Sequence, residues 1–99
     1  HMRLHILSAA AVVVAGFAFG ITRTEWCLVV GSMGLVVTAE IMNTAIETVV
    51  NLVSPEFHPL AGKAKDLAAG AVLVAAATAA VVGAIVFMPY LLLYFELYL

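Results

Sequence analysis

The chain is short of everything that keeps a domain of its size in water. Only 10% of its 99 residues are charged and 66% are hydrophobic, against about 25% charged and 45–50% apolar in ordinary soluble domains. A single cysteine, Cys27, excludes an intrachain disulfide and offers no clustered thiolates for zinc. Beside Trp26 it reads as a small buried apolar residue. Four basic residues against six acidic ones, with a net charge of −2, leave no electrostatic footprint for nucleic acid. There is no Gly-rich loop of the G-x-x-x-x-G-K-[ST] type, so any phosphate chemistry here is not that of a P-loop.

What is present is apolar length. Mean hydropathy is +1.19, and long apolar runs cover residues 4–21, 26–52 and 67–93. A bilayer core of about 30 Å needs about 20 helical residues, so each run is long enough to cross it. The first run superficially resembles a signal peptide, but two further runs follow, and the reading is a multi-span protein. The fold class expected is an all-α integral membrane protein, one membrane domain over residues 1–99. Its helix 1 covers about 4–21, helix 2 about 26–53, a loop about 54–62 and helix 3 about 63–88. Pro55 and Pro59 lack amide protons and disfavour helix in the residue before each, which should end helix 2 near Val53. Pro89 should bend or end helix 3, leaving an aromatic tail over 89–99 with no assigned role. His1 and Met2 read as an added or trimmed edge, with the natural amino terminus expected upstream. Arg3, Lys63 and Lys65 fall on one side of this topology and Arg23 on the other, which places the second loop in the cytoplasm.

Within the second run, Glu40, Asn43 and Glu47 are spaced by three and then four residues, which places them on one face of a helix. A carboxylate in a bilayer costs about 2.5–3.5 kcal/mol or more unless it faces a partner, an ion or water, so such residues mark function. Glu40 and Glu47 lie roughly 10 Å apart along the axis, at 1.5 Å per residue. That separation gives them different tasks. The shallower Glu47 suits a hard cation such as Mg²⁺, which takes one or two carboxylates plus phosphates. The deeper Glu40, surrounded by hydrocarbon, suits a general base acting on a lipid hydroxyl. Lys63, Lys65 and Asp66 reach the same surface and supply cations for phosphates and an acceptor for a nucleotide or metal. Together these groups outline phosphoryl transfer at a membrane interface.

The same stripe is also compatible with proton or ion transport and with subunit assembly. Transport predicts polar side chains continuing outward along the helix, yet between Trp26 and Thr38 only Cys27 and Ser32 are polar. His5 reads as an interfacial residue, His58 as a loop residue, and Thr44 as bonding back to its own helix. The third run is rich in alanine and glycine, which permits close helix packing in lipid. Three short helices can hardly bury these carboxylates alone, so a homo-oligomer is expected.

Residues 39–50, AEIMNTAIETVV, and 56–74, EFHPLAGKAKDLAAGAVLV, closely resemble the small prokaryotic diacylglycerol kinase and undecaprenol kinase family. The resemblance rests on E-x-x-N-[ST]-A-I-E followed by A-K-D, and it covers residues 3 to about 89. It implies a homotrimeric membrane enzyme of the bacterial inner membrane, with three membrane helices per chain and a surface helix before them. It implies transfer of the γ-phosphate of ATP, with Mg²⁺, to a lipid alcohol at the cytoplasmic face. By the same resemblance Glu40 is the catalytic base, Asn43 an essential site amide, and Glu47 a metal ligand that also serves the nucleotide. Lys65 and Asp66 are nucleotide contacts. The wording of residues 64–74 is similar to the Gram-positive branch, which prefers undecaprenol. Two departures stand out. Arg3 and His5 match the end of the family's E-x-N-x-R-x-H segment, so its Glu would lie upstream, and a catalytically incomplete membrane core is the alternative to an active kinase. Asn51 stands where the family usually has Asp.

Overall fold

The computed structural model describes residues 2–99; His1, read above as part of an edge, lies outside them. Its elements are three helices, α1 (Met2–Phe19), α2 (Arg23–Val53) and α3 (Pro59–Tyr98), each long and apolar enough to cross a membrane.

The hairpin between α1 and α2 is short because both helices are capped within it. Gly20 adopts φ +65°, the left-handed conformation that glycine enters without a Cβ penalty. The Ile21 N–H then reaches back to the Gly16 carbonyl at 3.2 Å, a Schellman closure of α1. Thr22 caps α2 in a reciprocal capping box: its Oγ1 accepts from the Glu25 N–H (3.2 Å), and Glu25 Oε1 accepts from the Thr22 N–H (2.9 Å). Gly16 is required for a second reason. A Cβ there would stand 2.5 Å from the Trp26 ring, which packs against that turn of α1.

α2 ends at Val53, before Pro55, with the Ser54 N–H bonded to the Val50 carbonyl at 2.8 Å. α3 begins at Pro59, earlier than the expected residue 63. The His58 side chain accepts from the Leu60 N–H at 3.1 Å, and Pro59 occupies the first turn, where its missing N–H costs nothing. A second correction concerns the other end: α3 does not stop at Pro89 but continues to Tyr98. Proline removes one backbone bond from such a helix, which neighbouring groups can offset in a membrane protein. Here Tyr90, the next residue, stacks on Phe19 at 5.8 Å between ring centroids and donates its hydroxyl proton to Glu25, tying the continuing helix to the hairpin. Cys27 is also not buried as expected; it lies on the outward face of α2.

The apolar core sits at this hairpin end. Ile21, Val29 and Val86 are buried, with Val12, Trp26, Met33 and Phe87 packed around them. α2 and α3 form the extensive antiparallel pair, and α1 packs mainly on α2. Ala68 and Ala75 are the buried small residues through which α3 approaches α2. Most large apolar side chains outside this core are exposed on the single chain, among them Leu73, Val74 and Ile85.

Candidate functional site

The buried positions of α2 are Val29, Val36 and Glu40. Spacings of seven and four residues keep them on one face, so Glu40 occupies a core position that would otherwise hold an aliphatic side chain. It is 9% exposed and is the one buried charged residue among those described. Its partner comes from α1: His5 Nε2 lies 3.3 Å from Glu40 Oε2. Thr44 Oγ1 donates to the Glu40 carbonyl (3.1 Å) and Thr48 to the Thr44 carbonyl, so both hydroxyls serve their own helix.

One turn along, Asn43 Nδ2 donates to Glu47 Oε1 at 3.4 Å, while Asn43 Oδ1 is buried with no hydrogen-bond partner. An orphaned buried acceptor calls for a ligand, water or ion. The next member of the same face, four residues beyond Glu47, is Asn51, whose Oδ1 accepts from Lys65 Nζ of α3 at 2.6 Å. Asp66 is exposed beside it. Glu40, Asn43, Glu47 and Asn51 therefore form a ladder from the core to the loop end, at roughly 16 Å from Glu40 to Asn51 at 1.5 Å per residue.

Above Glu40, on the hairpin side, the three helices enclose an apolar cleft of ≈ 360 Å³. His5, Ser8 and Val12 line it from α1, Ser32 and Val36 from α2, and Gly83 from α3. Its size is that of a small-molecule site, and its walls suit hydrocarbon. The core around Val29 and Val86 closes off the hairpin end of the bundle beyond it.

Among the sequence-predicted residues, the structure joins Asn43 to Glu47 and leaves Glu47, Lys65 and Asp66 without direct bonds to one another among the described residues. It brings two further residues against that set, His5 on Glu40 and Asn51 on Lys65, which the sequence marked only through the resemblance. Asn51 carried a signal, since it continues the stripe by one more turn. His5 required pairing α1 against α2 around the hairpin at Gly20.

No three His, Cys, Asp or Glu side chains cluster as a cation site among the described residues. A nucleotide-bound Mg²⁺ does not need such a cluster, because phosphates and water fill most of its positions. The Glu47 carboxylate and the unpartnered Asn43 Oδ1 are hard oxygen donors of the kind it takes, so the residues present fit it.

A family model described as prokaryotic diacylglycerol kinase matches residues 1–87. The chain is similar to the undecaprenol kinase of Bacillus subtilis, at 38% identity over 91 residues, covering 92% of this chain and 74% of that one. It is similar to the diacylglycerol kinase of Synechocystis, at 39% over 93 residues, covering 93% of this chain and 53% of that one. The Escherichia coli diacylglycerol kinase matches at 48% over 48 residues, which is 48% of this chain and 39% of that one.

Proposed function

The chain belongs to the prokaryotic diacylglycerol kinase family, and from that premise we propose that it is a lipid kinase. It transfers the γ-phosphate of ATP to the hydroxyl of a membrane lipid alcohol, undecaprenol or diacylglycerol. It works as a homotrimer in the bacterial inner membrane, with the site at the cytoplasmic face.

The observation that carries this reading is the placement of Glu40: a buried carboxylate at the junction of an apolar cleft and a polar ladder that leads to Lys65. The cleft accommodates the hydrocarbon of the acceptor and excludes water. Glu40 accepts the hydroxyl proton as the lipid oxygen attacks the γ-phosphorus in line. The bond from that phosphorus to the bridging oxygen breaks, and ADP leaves with its electron pair. Glu47 would hold Mg²⁺, with the unpartnered Asn43 Oδ1 as a further oxygen donor beside it, and the ion would neutralise charge on the phosphates. Lys65 and Asp66 contact the nucleotide, Lys65 placing positive charge beside the phosphates while Asn51 holds its ammonium in place. No covalent enzyme intermediate is required.

A path for ions would need polar groups continuing beyond the cleft, and the buried residues there, Ile21, Val29 and Val86, are apolar. The decisive experiment is phosphate transfer from ATP, with Mg²⁺, by the purified chain in detergent or bilayer, with undecaprenol and diacylglycerol offered separately. Transfer to either supports the kinase and names its acceptor. Silence with both, relieved by joining an E-x-N segment upstream of Arg3, would replace it with an incomplete membrane core; unrelieved silence would overturn it.

A further inference from the structure

We propose that His5 is a positioning residue for Glu40, fixing which carboxylate oxygen faces the acceptor hydroxyl; the proposal rests on the lipid-kinase reading above. A glutamate side chain has three rotatable bonds, and in an apolar core nothing but a polar partner selects among its rotamers. Glu40 has one such partner. His5 Nε2 meets Oε2 in a 3.3 Å ion-pair contact, and Oε1 has no such polar contact with any described residue. One oxygen is thus held and the other left as the proton acceptor.

The location of the imidazole supports the assignment. His5 lines the apolar cleft, while its ring reaches out of it to Glu40, so it stands where the hydrocarbon walls meet the carboxylate. It is also the polar link between α1 and the rest of the chain among the described residues, since α1 otherwise packs through apolar groups such as Val12, Gly16 and Phe19. Whatever occupies the cleft between α1 and α2 therefore presses on the helix that carries the aiming group. Filling the cleft and aiming the base become one event.

The test uses the protein in the form that transfers phosphate in the assay above, with His5→Gln and His5→Leu compared. Both variants preserve bulk, but only Gln retains an N–H donor. Misaiming a base by an ångström costs up to about 10²-fold, so His5→Leu should lower kcat by 10- to 100-fold and leave the KM for ATP within about twofold. His5→Gln should recover most of that kcat. Thermal unfolding in detergent should fall for His5→Leu, which strands the buried carboxylate, so kcat is compared per folded molecule. A readout independent of turnover is the His5 imidazole ¹⁵N shift, which should move in Glu40→Gln.

Equal kcat in the wild type and His5→Leu, or equal losses in both variants, would overturn the positioning role alone. An unmoved imidazole shift would overturn the pairing. Absence of transfer by the wild type to any lipid alcohol would overturn the kinase reading, and the positioning role with it.

Discussion

The two ends of the bundle follow opposite rules. At the hairpin end every cap is closed: Thr22 and Glu25 satisfy each other, Tyr90 completes Glu25, and aromatic rings fill the space over Gly16. From mid-α2 to the loop end, Glu40 interrupts an aliphatic seam, Asn43 keeps a buried oxygen without a partner, and Asp66 stands exposed. Satisfied polar groups and dense packing stabilise; unsatisfied ones reserve capacity for a ligand. A chain this small therefore divides its length, anchoring the helices at one side of the membrane so that the other side can remain incomplete.

The contrast can be broken most severely at Glu40. Glu40→Gln should lower phosphate transfer by about 10²–10⁴-fold, the usual worth of a general base, without changing the unfolding temperature. Full activity in that variant would remove Glu40 from the chemistry. The converse variant is Gly16→Val, whose side chain must displace the Trp26 ring. Overpacking of this kind costs about 1–3 kcal/mol, so thermal unfolding should shift down while activity per folded molecule holds. A loss of kcat without loss of stability would show that the two ends are not separable.

Asn51→Asp sharpens the comparison at the loop end. An aspartate would pair with Lys65 as an ion pair and compete with phosphate for it. Exposed pairs are worth about 0.2–1 kcal/mol, so the KM for ATP should rise by up to about fivefold with little change in kcat. An unchanged KM would separate Lys65 from the nucleotide. Smallest of all should be Tyr90→Phe, which removes the hydroxyl bonded to Glu25 but keeps the stack on Phe19. A slight fall in unfolding temperature, smaller than for Gly16→Val, and unaltered transfer kinetics are expected.

Much of the fold was readable because its signals are local. Apolar run length marks three helices, Pro55 stops α2, and the spacing of Glu40, Asn43 and Glu47 defines a face of α2 without reference to anything else. Several of the misread features depend on a second helix. Pro89 looks like a stop only until Tyr90 is seen held by Phe19 and Glu25. His5 looks interfacial only until α1 is folded back along α2, and the partnership of Lys65 with Asn51 emerges only when α3 lies beside α2. Periodicity reports which residues share a face; it does not report the register in which two faces meet.

That register has a mechanical consequence. The Glu25–Tyr90 and Asn51–Lys65 ties are separated by nearly the same length of α2 and α3, about 38 Å at 1.5 Å per residue. They pin the antiparallel pair at two levels farther apart than a hydrocarbon layer of about 30 Å is thick. Sliding one helix past the other by a single turn would break both ties together. Against a bilayer of different thickness, a pair so tied has tilt rather than shear as its cheap adjustment.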